Sequence, residues 1–270
     1  MKNSIVLKAT PALFAVVLSV ACPARAQNII SWDQDVWGFT QAVGGSGQPV
    51  PNSAAGVVPA YNWNDTWCEN WAYVSSSGVT VNSLYDNSGA ATSLGLTYAA
   101  YNGASIVSTH MGADADGSYN REMLNGYLNA GPAAWGPPIT NSYVSLSSIP
   151  FAQYDIYVYF VSDVDGRTGR VTDGTTSYYF STMGQLAISG ANALFAQTTD
   201  TTGANPAADY AVFSGLTGGS QTVTCCPMSG AGQWLGISAL QMVATPEPAT
   251  LALVALGGIG LLRFGRRIRH

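Results

Sequence analysis

The stretch "YDIYVYFVSD", from Tyr154 to Asp163, has the clearest β-strand pattern in the sequence. Successive residues of a strand point to opposite faces, and here both alternating sets are apolar or aromatic. One set is Ile156, Val158 and Phe160, and the other is Tyr157, Tyr159 and Val161. A strand that is apolar on both sides is typical of the interior of a sheet. We therefore predict a central strand that is covered on both faces.

The residues that follow predict a hairpin, since Asp173-Gly174 in "GRVTDGTTSYYF" is a dipeptide favoured in tight turns. Further short strands are expected at Val79–Tyr85, Ser93–Tyr98, Tyr143–Ile149, Asp209–Phe213, Gln221–Cys225 and Trp234–Val243. Short strands separated by Gly, Asn and Ser are typical of a sandwich. The sequence thus predicts an all-β fold, a single jelly-roll-like β-sandwich spanning residues 27–244.

One segment has a helical pattern instead. In "SYNREMLNGYLNAGP", Ser118 suits an N-cap, Leu124 and Leu128 lie one turn apart, and Gly131-Pro132 suits a helix stop. We expect one short connecting helix here. No repeat of solenoid length occurs in the sequence, which argues against a repeat-built ice-binding surface.

The N-terminus has the three regions of a secretory signal peptide. Lys2 and Lys8 precede the apolar run 12–20, and Ala24-Arg25-Ala26 provides small residues for signal peptidase. We expect residues 1–26 to be a signal peptide, with cleavage before Gln27. The alternative of a lipoprotein signal at Cys22 has less support, because Ser19 stands where Leu is expected.

The C-terminus combines an apolar run with a basic end. Residues 249–262 carry no charge, and the last eight residues contain Arg263, Arg266, Arg267 and Arg269. As a helix the run would reach about 21 Å, short for a bilayer core of about 30 Å. Arginines that snorkel to the interface permit a short transmembrane helix at about 249–264, with the basic end on the cytoplasmic side.

Pro246-Glu247-Pro248, the apolar run and the arginine cluster together resemble the PEP-CTERM sorting signal of exported bacterial proteins, also described as an ice-binding-protein C-terminal tail. The resemblance covers residues 245–270. It implies export, transient membrane anchoring through the tail, and recognition by an exosortase-type sorting peptidase. The expected destination is the cell surface or the extracellular matrix, with an exopolysaccharide as a candidate partner.

The body between these ends is acidic and poor in catalytic motifs. It holds 14 of the 15 Asp and Glu residues, three Arg and no Lys, which excludes nucleic acid as a partner because phosphate binding needs clustered cations. His110 is its one histidine, and no nucleophile elbow, zinc-protease helix or phosphate loop occurs. We therefore expect that the protein is not an enzyme. A glycan-active enzyme and an ice-binding adhesion protein are the alternatives.

A group of tryptophans is the best candidate for binding. Trp63, Trp67 and Trp71 are spaced by four, which places them on one side of a strand, with Asn64 and Asp65 between them. Aromatic rings pack against sugar rings while polar side chains bond hydroxyls, so we predict a glycan-binding face. The alternative is that the tryptophans belong to the core.

Two stretches of the body, "AGVVPAYNWND" and "YDIYVYFVSDVDGRTGR", also resemble domains of the galactose-binding and lectin type of β-sandwich. The resemblance implies glycan binding. Taken together, the sequence features predict a non-catalytic carbohydrate-interacting or structural module. The two stretches contain no recognised catalytic motif, so the resemblance supports the predicted architecture more than any particular chemistry.

Carboxylates and cysteines suggest two further features. Asp163 and Asp165 in "DVDG", like Asp114 and Asp116 in "DADG", suit a calcium loop, although polar turns explain the same pattern. Calcium is the one cofactor that the sequence suggests. Cys68 is expected to form a disulfide with Cys225 or Cys226, because an exported protein folds in an oxidising compartment.

Overall fold

The computed structural model describes residues 28–37, 54–69, 74–100, 104–108, 113–131, 141–228 and 234–245. The strands in these ranges are β1 (Ile29–Trp37), β2 (Asn64–Glu69), β3 (Val74–Val81), β4 (Gly95–Ala100), β5 (Ala104–Ile106), β6 (Gly126–Leu128), β7 (Ser142–Ser147), β8 (Gln153–Val161), β9 (Thr168–Thr172), β10 (Ser177–Thr182), β11 (Ala207–Ala208), β12 (Tyr210–Thr217), β13 (Ser220–Pro227) and β14 (Gly236–Ala244). The helices are α1 (Asn120–Met123) and α2 (Gly184–Ile188).

Two sheets form a β-sandwich, as the sequence predicts. The five-stranded sheet has the order β12-β8-β14-β1-β2, and the seven-stranded sheet has the order β11-β10-β9-β13-β7-β4-β3. A separate hairpin pairs β5 with β6. Most neighbouring strands are antiparallel, and β2 pairs with β1 in parallel. The jelly-roll topology and the bounds 27–244 stay predictions.

The central core lies between the two sheets. Ile156, Val158 and Phe160 of β8 are fully buried there. The Phe160 ring stacks on Phe180 of the opposite sheet, with 3.7 Å between ring centroids. On the other face of β8, Tyr159 and Val161 belong to a second buried cluster. The prediction of an interior strand covered on both sides is confirmed.

The predicted hairpin at Asp173-Gly174 is also confirmed. It joins β9 to β10, and Gly174 has a φ of 91°, which only glycine adopts readily. Asp173 Oδ1 accepts hydrogen bonds from the backbone N–H groups of Thr175 and Thr176 at 2.9 and 2.6 Å. The turn chemistry of the sequence is therefore sufficient for this connection.

The predicted helix is much shorter than its pattern. α1 ends at Met123, Leu128 lies in β6, and Ser118 is not the N-cap, a position held by Tyr119 without a side-chain bond. Every residue of β6 is buried, and the strand pairs with β5. Pairing and burial of 126–128 therefore override the local helical pattern. The second helix, α2, was not predicted.

Candidate functional site

A cleft opens where the edge strand β2 meets the chain that leaves β3. Its volume is about 350 Å³. Seven of its ten lining residues carry a polar group in the side chain; the ten are Asn62, Asn64, Asp65, Thr66, Val81, Asn82, Ser83, Leu84, Tyr85 and Gly89. A concave surface with several convergent polar groups is the usual form of a small-ligand site. We therefore take this cleft as the candidate binding site.

Three residues of the cleft have a left-handed backbone conformation. Asn62 and Ser83 have φ values of 56° and 59°, and Gly89 has a φ of 81°. Residues other than glycine seldom adopt this left-handed conformation, and such strain is common where a chain builds a functional site. Two of the four non-glycine residues with positive φ in the described part of the chain line this cleft.

Asn64 positions one wall. Its Nδ2 atom donates to the carbonyl oxygens of Ser31 and Tyr85, each at 2.8 Å. Its Oδ1 atom accepts from the backbone N–H of Tyr85, also at 2.8 Å. The side chain is 8% exposed. Asn64 thus ties the segment that carries Tyr85 to the edge of the five-stranded sheet.

The opposite rim is a turn held by Asp86. Its Oδ1 atom accepts from the Ser88 N–H and hydroxyl at 2.8 and 2.6 Å and from the Ala90 N–H at 3.0 Å. Burial acts to raise the pKa of Asp86, but these hydrogen bonds outweigh it and lower the pKa. Asn62 Nδ2 donates to the Asn87 carbonyl at 3.0 Å, which joins the two rims of the cleft.

The loop that leads into the cleft is anchored by a buried polar network. The Tyr159 hydroxyl accepts from the Val57 N–H at 2.7 Å and donates to Gln241 Oε1 at 2.6 Å. Gln241 Nε2 in turn donates to the Val58 carbonyl at 2.8 Å. A Cβ on Gly56 would overlap Gln241 Oε1, so only glycine fits beside the amide. Burial raises the pKa of Tyr159, which keeps its hydroxyl protonated.

Tyr85 provides an aromatic ring at the cleft, and 51% of the residue is exposed. Asn62, Asn82 and Ser83, whose side chains carry amide and hydroxyl groups, line the same cleft. Among the residues that line the cleft, Asp65 carries the one carboxyl group. Glycoside hydrolysis ordinarily requires two carboxyl groups. The wall is therefore suited to binding a polar, uncharged ligand.

The tryptophan prediction needs correction at Trp63. This residue is 6% exposed, lies in a buried cluster with Met123 and Tyr127, and donates from Nε1 to the Ala60 carbonyl at 3.0 Å. It is a core residue, because the chain turns it inward just before β2 begins. Trp67 lies on β2, and Trp71 lies outside the described residues. Glycan contact by these two stays a prediction.

Asn64 and Asp65, the polar candidates between the tryptophans, do line the cleft. Asn82, Ser83 and Tyr85 were not predicted as site residues. The alternating pattern of 79–85 suggests a strand, whereas β3 ends at Val81 and the chain then bends through Ser83. The signal that would have found the site is the turn sequence "DNSGA" at 86–90, which requires the chain to reverse beside Tyr85.

The two carboxylates of the proposed calcium loop have partners within the protein. Asp163 Oδ1 pairs with Arg167 Nη1 at 2.7 Å, and Asp165 Oδ1 accepts the Leu186 N–H of α2 at 3.1 Å. In the other loop, the Asp114 carboxylate accepts the Arg121 N–H at 3.1 Å. The described residues contain no group of three or more His, Cys, Asp or Glu side chains that converge. Calcium stays a prediction.

The predicted disulfide is not formed. Cys225 is a free thiol that lies fully buried between the sheets, and burial raises its pKa. Cys226, the next residue of β13, is also free. Cys68 lies on β2, an edge strand of the opposite sheet. The side chain of Cys225 is directed into the core, where it packs as a small apolar group.

Several predictions fall outside the described ranges. These are the signal peptide 1–26, His110, and the tail, with Pro246, Glu247, Pro248, Arg263, Arg266, Arg267, Arg269 and the transmembrane helix at about 249–264. Neither helix in the described part of the chain has the length and apolar character needed to span a membrane.

The C-terminal tail places this β-sandwich protein in the class of exported proteins that are sorted by their tails. The model for the PEP-CTERM protein-sorting motif matches residues 244–269. This motif is the recognition signal for exosortase and marks transient anchoring in the membrane through the tail. No curated protein and no solved structure matches the chain. The motif covers the tail alone, so the role of the sandwich is argued from its geometry.

Proposed function

We propose that the sandwich is a non-catalytic module that binds a neutral polysaccharide at the cell surface or in the extracellular matrix. The observation that carries this proposal is the cleft between β2 and the segment 81–89, with Tyr85 exposed at its wall. Sugar rings present C–H groups that pack on an aromatic ring and hydroxyls that need donors and acceptors. Tyr85 supports the first contact, and Asn62, Asn82 and Ser83 support the second.

The charge of the protein favours a neutral ligand over an acidic one. The net charge is −5, and the body has three arginines and no lysine. In the described structure, Arg167 pairs with Asp163, and Arg121 pairs with Asp114 and donates to the Gly190 carbonyl. An anionic polymer would be repelled by the acidic surface and would meet no cation in the wall of the cleft.

Affinity electrophoresis in gels that contain neutral polysaccharides tests this proposal, with alginate as the acidic comparison. The panel includes amylose, hydroxyethylcellulose and laminarin. We expect retardation by at least one neutral polymer and none by alginate. Tyr85→Ala should weaken binding about tenfold, since loss of a stacked ring costs on the order of 1–3 kcal/mol. Tyr85→Phe should retain most of it because the ring is kept.

Leu186→Ala is the control, because Leu186 is 53% exposed on α2 and does not line the cleft. Its binding should equal that of the wild type. Equal retardation of Tyr85→Ala and wild type would show that the cleft is not the site. Release of reducing ends from the retained polymer would identify the protein as a glycan-cleaving enzyme. Thermal hysteresis would identify it as an ice-binding protein.

A further inference from the structure

Four adjacent strands, of which β3 reaches the cleft, have no charged residues. β3, β4, β7 and β13 are adjacent in the seven-stranded sheet, and their sequences contain no Asp, Glu, Lys or Arg. β3 is an edge strand, where natural proteins commonly place charges to prevent association. None of the 15 acidic residues of the protein therefore lies on these four neighbouring strands.

Many of the outward residues of these strands carry hydroxyl groups that are aligned across the sheet. Thr80 pairs with Thr97, Thr97 with Ser145, and Ser145 with Thr222, so one row crosses four strands. Hydroxyl groups in the row contact each other, at 2.9 Å between Thr80 and Thr97 and at 2.8 Å between Ser145 and Thr222. With strands about 4.8 Å apart, the row is about 14 Å long.

A second row runs beside the first, two residues further along the strands. Ser147 pairs with Gly95 on one side and with Ser220 on the other. We call the six residues Thr80, Thr97, Ser145, Ser147, Ser220 and Thr222 the hydroxyl shelf. The residues that alternate with them, including Leu96, Val144 and Val223, are buried in the core, so the shelf faces outward.

Asn82 connects the shelf to the cleft. It lines the cleft and directly follows β3, two residues after Thr80. The position that a Cβ on Gly95 would occupy is 3.9 Å from Asn82 Oδ1 and 2.8 Å from Ser147 Oγ. The missing side chain at Gly95 therefore lets Asn82 and Ser147, a residue of the shelf, approach the same point on β4.

We propose that the cleft and the hydroxyl shelf form one continuous track for an extended, neutral polysaccharide chain. The inference rests on the proposed function and adds the form of the ligand: one end of a segment occupies the cleft, and the following sugars lie across the shelf. Aligned hydroxyls donate and accept hydrogen bonds with sugar hydroxyls without a charged group. Affinity should therefore rise with the length of the sugar chain.

The test compares a disaccharide with an octasaccharide of the polymer that retards the protein in affinity electrophoresis, measured by titration calorimetry. The shelf variant is Thr97→Val, Ser145→Ala and Thr222→Val combined, which removes hydroxyls and keeps residues that are compatible with strands. The control is Thr175→Val with Thr201→Val, two exposed hydroxyl residues in turns away from the shelf.

We expect the wild type to bind the octasaccharide at least tenfold more tightly than the disaccharide. The shelf variant should lose about tenfold for the octasaccharide, because each hydrogen bond contributes a factor of about two to ten. Its disaccharide affinity and melting temperature should match those of the wild type, which shows that the cleft and the fold are intact. The control variant should bind both ligands normally.

Three results would overturn the inference alone, and a fourth would reject the proposed function together with it. Equal wild-type affinity for both lengths would confine the ligand to the cleft and leave the proposed function standing. If the shelf variant binds the octasaccharide as tightly as the wild type does, the shelf is not part of the binding site. Self-association of the wild type in analytical ultracentrifugation that the shelf variant lacks would identify the shelf as an interface between copies. Absence of binding to any neutral polymer would reject the proposed function itself.

Discussion

Replacement of Asn64 by alanine tests how the cleft is built. Asn64 is 8% exposed and makes three hydrogen bonds of 2.8 Å to the backbone of Ser31 and Tyr85. Alanine removes all three and leaves two carbonyls and one N–H without this partner. Tyr85 is half exposed, so water replaces part of what is lost. At about 0.5–1.5 kcal/mol for each bond, we expect a loss of about 2–4 kcal/mol in the free energy of unfolding.

Thermal unfolding followed by circular dichroism measures this loss. For a domain of this size, 1 kcal/mol corresponds to about 2–4 °C, so the melting temperature should fall by about 5–15 °C. Binding of the neutral polysaccharide should weaken as well, because Tyr85 loses its support. Asn82→Ala is the matched control. Asn82 is exposed on the same cleft, so its replacement should weaken binding and change stability by less than about 0.5 kcal/mol.

The comparison of the two asparagines has a clear refuting result. If Asn64→Ala melts within about 2 °C of the wild type, the three hydrogen bonds do not hold the wall, and the assignment of Asn64 as a positioning residue is wrong. If Asn82→Ala destabilises the protein as much as Asn64→Ala, the distinction between a structural and a ligand-contacting asparagine is wrong.

Trp63→Ala should destabilise the protein by about 3–5 kcal/mol, because Trp63 is a buried core residue; a normal melting temperature would contradict this position. Burial raises the pKa of Asp209 from 3.8 to about 7, so its contribution to stability is complete below pH 4 and is lost as the pH rises to 7. Chemical denaturation from pH 4 to 8 should show this decline in the wild type and a flatter profile in Asp209→Asn; identical profiles would refute it. Mass spectrometry of extracellular protein should find a start near Gln27 and an end near Pro246-Glu247-Pro248, and a peptide ending in His270 would argue against processing of the tail.

Local sequence was sufficient to predict the structure where the tertiary contacts of a segment agree with its own residue pattern. The alternation in 154–161 predicted an interior strand, and Asp173-Gly174 predicted a hairpin, because side-chain period and turn conformation are properties of a few adjacent residues. The sorting tail was also recognisable from sequence, since Pro246-Glu247-Pro248, the apolar run and the arginines are contiguous. The helix at 118–132 failed for the opposite reason: long-range pairing of β6 with β5 decided the conformation of its second half.

The sequence by itself determined the all-β class, the acidic and weakly charged body, and the address carried by the tail. Tertiary structure alone decided that Trp63 is core, that Cys225 is free, and that Asn82 and Tyr85 meet Asn64 at one cleft. Strand order also decided that Thr80, Thr97, Ser145 and Thr222, which span more than 140 positions of the chain, stand in one row. The physical reason is that a strand's pattern specifies its two faces but not its neighbours, and only the register between distant strands brings such residues together.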